Sequence, residues 1–227
     1  MPIELPLIEL KPYGHKSGTE ATLRKIFAYD WVVFSSYNAV KFTFERLEEM
    51  GLDSRVFGAA RVCAVGPKTA AALEKQGIRP DMIPEKYIAE SMVEAFEEVG
   101  GLKGAAVLIP RAREAREVVP EGLEKMGARV DILPIYENVM PEPHPLALAV
   151  VKGGKIDVVT LASPSAAINY AELLKKEGLP VDMAPCAVIG PATQSKAEEL
   201  GLPVVAVAEK YTVEGMVLAL ESYLANE

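Results

Sequence analysis

Short runs, most of them apolar throughout their middle, alternate along the chain with longer stretches whose apolar residues recur about every 3.6 positions. The runs are 31–35, 61–65, 82–83, 105–109, 129–133, 157–161, 186–189 and 204–207, mostly Val, Ile and Ala. A strand covered on both faces has no polar face to alternate with, so such runs predict parallel strands flanked by helices. The periodic stretches 39–50, 68–76, 114–126, 166–177 and 193–200 predict those helices, and a glycine follows each, at 51, 77, 127, 178 and 201. Glycine is the residue best suited to the position just past a last helical turn. Strand–helix alternation with short loops predicts an α/β fold with parallel sheets.

The pattern also repeats. Residues 30–39 (DWVVFSSYNA) align with 157–166 (DVVTLASPSA), and Val65-Gly66-Pro67-Lys68-Thr69 aligns with Ile189-Gly190-Pro191-Ala192-Thr193. Glu85-Lys86-Tyr87 with Met92 aligns with Glu209-Lys210-Tyr211 with Met216, and Leu5-Pro6-Leu7-Ile8-Glu9 with Leu133-Pro134-Ile135-Tyr136-Glu137. The offsets, 124 to 128 residues, are too long for a solenoid and point to a duplicated domain. The second copy opens with a strand and helix, 105–125, whose counterpart would precede Met1. Losing a central strand would leave an unpaired sheet edge. The expectation is a natural protein longer at its N-terminus, or else a rearranged first lobe.

Polar segments rich in Pro and Gly, 11–18 (KPYGHKSG) and 138–145 (NVMPEPHP), occupy equivalent points of the repeat and read as linkers. Two crossings predict two α/β lobes, the first from 1–12 plus 139–227 and the second from 13–138, hinged about a ligand cleft.

Composition narrows the chemistry. The chain has 227 residues, 50% hydrophobic and 25% charged, which excludes a disordered chain. The net charge is −8, a poor global field for nucleic acid or an anionic membrane, so any anionic ligand needs a local site. Two cysteines, Cys63 and Cys186, and two histidines, His15 and His144, supply neither a disulfide framework nor a zinc-type cluster. Both histidines read as surface residues. No apolar run reaches the ~18 residues of a membrane span, and no basic n-region opens the chain. The expectation is a cytoplasmic, monomeric protein with reduced thiols, a small-molecule substrate, and neither nucleic-acid nor membrane partners.

The repeated loops carry the candidate chemistry. Ser36 with Asn38, Gly66 with Thr69, Ser163 with Ser165, and Gly190 with Thr193 all lie between a strand end and a helix start. Free backbone N–H groups and the helix dipole make such a position an anion site, although each loop alone is also an ordinary helix cap. Arg111, Arg113 and Arg116 follow the strand ending at Ile109-Pro110; they suit either carboxylate capture or a solvated helix face paired with Glu114 and Glu117. Tyr136 ends a strand and reads equally as a core tyrosine; its counterpart is Ile8, so the fold does not require the phenol. The acidic run 94–98 reads as a solvated helix face. No GxGxxG or GxxxxGK[ST] motif occurs.

Together these stretches resemble the uroporphyrinogen-III synthase family. The carrying segments are 30–40 (DWVVFSSYNAV), 62–69 (VCAVGPKT), 107–111 (VLIPR), 132–139 (ILPIYENV), 157–166, 186–200 (CAVIGPATQSKAEEL) and 209–216 (EKYTVEGM), nearly the whole chain. The resemblance implies two flavodoxin-like α/β lobes joined by a two-segment linker, with the active site in the cleft. It implies cyclisation of hydroxymethylbilane, a linear tetrapyrrole polycarboxylate, with loss of water and inversion of the last ring through a spiro-pyrrolenine intermediate. No cofactor or metal is implied. The family's strand-end tyrosine falls on Tyr136, which would help the hydroxyl leave; its threonines fall on Thr69 and Thr193, and its serine loops on Ser36 and on Ser163 with Ser165. Where the family often has Ser-Pro-Arg, this chain has Ser36-Tyr37-Asn38. The rival expectations are a non-catalytic two-lobe binding protein for an anionic small molecule and an enzyme acting on a sugar phosphate or nucleotide.

Overall fold

The computed structural model describes residues 2–14, 16–86, 89–98, 100, 102–115 and 117–225. Sequence-identified His15, Tyr87 and Arg116 lie outside the described residues. Within it the chain forms two compact units, Leu10–Asn138 and Met1–Glu9 with Val139–Glu227.

The Leu10–Asn138 unit is built on a five-stranded sheet of order β1-β5-β4-β2-β3. Its strands are β1 Glu9–Pro12, β2 Trp31–Phe34, β3 Arg61–Ala64, β4 Ala106–Ala112 and β5 Arg129–Val139. β2 pairs in parallel with β3 and with β4, and β4 with β5. Helices α1 Lys16–Leu23, α2 Tyr37–Glu49, α3 Pro67–Lys75, α4 Ala89–Glu98 and α5 Val118–Lys125 surround it. The two-sided burial expected of an all-apolar strand is plain in β2. Val32 and Phe34 join a cluster with Phe42, Leu47 and Leu73 from α2 and α3. Trp31 and Val33 face a second cluster with Met92, Phe96, Val119 and Leu123 from α4 and α5. Trp31 meets Phe96 edge-on at 4.9 Å, a favoured aromatic geometry.

The other unit carries the parallel sheet β6-β7-β8, with β6 Val159–Leu161, β7 Cys186–Val188 and β8 Val204–Val207. Its helices are α6 Pro145–Lys152, α7 Pro164–Lys176, α8 Pro191–Glu199 and α9 Val213–Leu224. Leu161, Cys186 and Val188 pack with Tyr170 and Leu174 of α7 and with Leu5, Leu7 and Ile8. Ala187, Ala206 and Ala208 pack on the opposite face with Met216 of α9. The Asn169 side-chain amide donates to Leu7 O at 2.6 Å, tying the N-terminal segment to α7. Helices α2 and α7 both run 13 residues, and α3 and α8 both run 9.

Several sequence expectations are corrected. The segment 11–18 is not a free linker: β1 reaches Pro12 and α1 starts at Lys16. Likewise 138–145 opens inside β5, and His144 caps α6, its Nδ1 accepting from Leu146 N–H at 3.3 Å. Residues 82–83 form a single bridge, Met82 to Cys63, instead of a strand. β4 runs past Ile109 through Pro110 and Arg111 to Ala112, because its pairing with β5 continues that far. α5 accordingly starts at Val118, not at 114.

This packing sets three expectations. Burial pushes the Cys63 thiol up from 9.0 to about 12 and Cys186 to about 11. It also raises Tyr170 and Tyr29 from 10.0 to about 12, with Asp131 reinforcing burial at Tyr29. These acids hold their protons more tightly folded than unfolded. Their stabilising contribution is therefore full below about pH 9 and falls progressively toward pH 12. The urea midpoint should drop from about pH 9 upward, and an aromatic disulfide reagent at pH 8 should label neither thiol until urea is added. Rapid labelling of the native protein would contradict this burial. Gly215 lies at the start of α9, where an added Cβ would stand 2.1 Å from Lys210 O. Gly215→Ala should therefore lower stability by roughly 1–3 kcal/mol in chemical denaturation; an unchanged midpoint would show that this turn relaxes freely.

Candidate functional site

In the Leu10–Asn138 unit, β2 and β3 end side by side, with Val65 N–H donating to Phe34 O at 3.0 Å. A helix begins just past each strand, so the starts of α2 and α3 are neighbours at the C-terminal edge of the sheet, where ligands of open α/β sheets bind. Ser36 is the N-cap of α2, its Oγ accepting from Ala39 N–H at 3.0 Å. Asn38, partly buried, lies in that first turn. Gly66 is the N-cap of α3 with no side-chain cap, Pro67 follows, and Thr69 in the first turn is buried. The Gly66 cap leaves backbone donors of that turn without the side-chain acceptor that Ser36 gives α2.

Tyr136 lies on β5 and is 7% exposed. Its hydroxyl stands 3.2 Å from Ser36 Oγ. Its ring stacks on Phe42 of α2, centroids 5.2 Å apart and planes 12° apart. The structure thus brings Tyr136 and Ser36 together. Phe42 escapes sequence reasoning, because on an amphipathic helix it looks like any core residue and its partner is remote in the chain.

Arg111 and Tyr136 belong to different sides of the sheet. Arg111 follows Val107 and Ile109, which face α4 and α5, whereas Tyr136 sits in the α2 and α3 cluster. Arg111 is a buried strand residue and pairs with Glu117 just before α5, one of the two carboxylates named from sequence. Its position is not that of a residue beyond the strand end. A register shift between Arg111 and Ala112 sets Ala112 opposite Tyr136. Arg113 is the arginine joined to the Tyr136 backbone: its N–H donates to Tyr136 O at 2.8 Å. Its guanidinium lies over the Tyr13 ring at 4.8 Å and donates to Glu137 at 3.1 Å, and that hydrogen bond raises its pKa.

The other unit has the same arrangement of strand ends and helix starts. Ile189 N–H donates to Leu161 O at 3.2 Å, joining the ends of β6 and β7. Ser163 caps α7, accepting from Ala166 N–H at 3.1 Å, and partly buried Ser165 lies in that first turn. Gly190 is the N-cap of α8, and Thr193 in its first turn is buried. The Tyr211 ring lies close over Gly190, where an added Cβ would sit 2.9 Å from it. Tyr211 was visible from sequence only as a repeated motif.

Among the described residues, no group of three or more His, Cys, Asp or Glu could hold a metal ion, and no helix is long and apolar enough to cross a membrane. The chemistry on offer is a phenol held by a capped helix, with helix N-termini suited to carboxylates.

Comparison with known proteins follows the same lines. The family model for uroporphyrinogen-III synthase HemD matches residues 1–218. A putative uroporphyrinogen-III synthase from Methanothermobacter thermautotrophicus is 34% identical, over 95% of this chain and 86% of that protein. A uroporphyrinogen-III synthase from Synechococcus elongatus is 31% identical, over 97% of this chain and 85% of its own length. In fold, the chain is similar to the crystal structure of uroporphyrinogen-III synthetase from Helicobacter pylori, with a TM-score of 0.65 and 19% identity over 97% and 91% of the two chains. A mutant uroporphyrinogen III synthase from Thermus thermophilus gives a TM-score of 0.61 and 17% identity over 98% and 88%. With the family model matched over residues 1–218 and relatives 34% and 31% identical over nearly its whole length, the chain belongs to the uroporphyrinogen-III synthase family.

Proposed function

We propose that the chain closes hydroxymethylbilane to uroporphyrinogen III, losing water and inverting the last ring. Tyr136 is the catalytic group, its phenol donating to the departing hydroxyl oxygen. The observation that carries this reading is the phenol fixed at both ends, by Ser36 at its oxygen and by Phe42 at its ring. The remaining task is positioning, since the bilane must be held so that the inverting closure outruns the simple one.

The substrate carboxylates meet helix N-termini. In one unit these are the loops of Ser36 with Asn38 and of Gly66 with Thr69; in the other, Ser163 with Ser165 and Gly190 with Thr193. What supports the assignment is that each loop opens a helix at the end of a parallel strand, where N–H groups and the helix dipole favour an anion. Arg111 has the least support as a carboxylate ligand, because its guanidinium is buried against Glu117. We further infer that the units, with bounds close to 1–12 plus 139–227 and 13–138, descend from one duplicated α/β lobe. Helices of equal length stand 127 residues apart (37–49 and 164–176) and 124 apart (67–75 and 191–199). The protein acts as a monomer in the cytoplasm, a reducing compartment with which two buried, unbridged cysteines are in keeping.

The test is turnover of hydroxymethylbilane generated in situ, with the products oxidised and the isomers separated. Tyr136→Phe should form type III product roughly 10²-fold more slowly with its thermal midpoint nearly unchanged. Equal rates for variant and parent would remove Tyr136 from the chemistry. Thr69→Val and Thr193→Val should raise KM more than they lower kcat; a fall in kcat alone would give the threonines a different role.

A further inference from the structure

Ser36 Oγ lies between two groups: Ala39 N–H donates to it at 3.0 Å, and the Tyr136 hydroxyl is 3.2 Å away. A serine hydroxyl has one hydrogen and two acceptor positions. The cap uses one acceptor position, so the contact with Tyr136 can run in either direction. If the phenol donated to Ser36, its hydrogen would be consumed inside the protein. If Ser36 donates to the phenol oxygen, the phenol hydrogen is free for another acceptor.

We propose that Ser36 is a positioning residue for the reaction, donating to Tyr136 and thereby aiming the phenol hydrogen at the leaving hydroxyl. The proposal rests on the reading of Tyr136 given above and goes beyond a substrate-binding role for the serine. Its hydrogen bonds form one directed chain, from Ala39 N–H to Ser36 Oγ, from Ser36 O–H to Tyr136 Oη, and from Tyr136 O–H to the substrate oxygen. Each bond polarises the next, and the positive end of α2 acts in the same sense. As the carbon–oxygen bond breaks, its electron pair goes to the departing oxygen, which takes the phenol proton and leaves as water. The bilane becomes cationic, and the phenolate keeps the Ser36 hydrogen bond. The last ring's bridge-bearing α-carbon, which holds no hydrogen, attacks to give the spiro-pyrrolenine cation; the bridge bond then breaks and re-forms at that ring's other α-carbon, whose proton returns to the phenolate, and charge balances.

Capping alone does not explain this contact. Ser163 caps α7 with the same geometry, accepting from Ala166 N–H at 3.1 Å, and the residue aligned with Tyr136 there is Ile8. Phe42 completes the arrangement. It lies on the same helix as Ser36 and stacks on the phenol ring. One helix therefore sets both the plane of the ring and the direction of its O–H.

A double-mutant cycle tests the proposal, reading kcat and KM for type III product in the parent, Ser36→Ala, Tyr136→Phe and the double variant. Ser36→Ala should lower kcat about tenfold, the worth of one good hydrogen bond, with little change in KM. In the Tyr136→Phe background the same change should cost nothing further. Two more variants separate this role from capping. Ser36→Thr keeps both the cap and the donor and should restore kcat. Ser36→Asp still caps α2 but carries no hydrogen to donate; it should melt like the parent and turn over no faster than Ser36→Ala. An equal loss from Ser36→Ala in both backgrounds, or a loss confined to KM, would overturn the proposal while leaving Tyr136 in place. Full activity in Tyr136→Phe would instead overturn the underlying reading, and the proposal with it.

Discussion

The hydroxyl of Ser36 ties a helix start to a strand end and to a phenol. It accepts from the first turn of α2 and meets Tyr136 of β5, two elements 100 residues apart in sequence. The geometry of the candidate site depends on that oxygen staying where the end of β2 puts it. The end of β2 is in turn fixed by burial on both faces, with Val32 and Phe34 packed on one side and Trp31 and Val33 on the other. Phe42 extends the same constraint from the phenol oxygen to its ring. A core built from two-sided apolar strands thereby positions a polar group to within the tolerance that proton transfer requires.

Electrostatics follow from local geometry more than from total charge. A protein of net charge −8 repels a polycarboxylate at long range. A helix N-terminus attracts one at short range, where partial charges on free N–H groups act before screening matters. The starts of α2 and α3 in one unit and of α7 and α8 in the other are such termini, each past the end of a parallel strand. Arginine is used more sparingly: Arg111 is paired inside the fold with Glu117, and exposed Arg113 with Glu137.

Much of this architecture was legible because local rules and tertiary packing agree. Most of the apolar runs became strands, well buried in β2, β3, β4 and β7, and the expected glycines past α2 and α7, Gly51 and Gly178, stand at φ of 68° and 69°. The failures have physical causes. α1 lies in KSGTEATL, a stretch too polar and weakly amphipathic to separate from a linker. Pro110 and Arg111 look like a loop, yet pairing with β5 carries the strand through them. The polar loops could be located because they fall between a strand and a helix. That Ser36 and Phe42 both meet Tyr136 could not be read, since nothing local couples a helix start to a strand 100 residues away and Ile8 fills the tyrosine's place in the other copy.

The central claim is that this chain holds the bilane so that the inverting closure wins. The most direct measurement is a single turnover with the protein in excess over freshly formed hydroxymethylbilane, followed by oxidation and separation of the uroporphyrin isomers. Predominantly type III product is expected, with spontaneous type I suppressed below the no-protein control. Type I alone, in the proportion formed without protein, would contradict it.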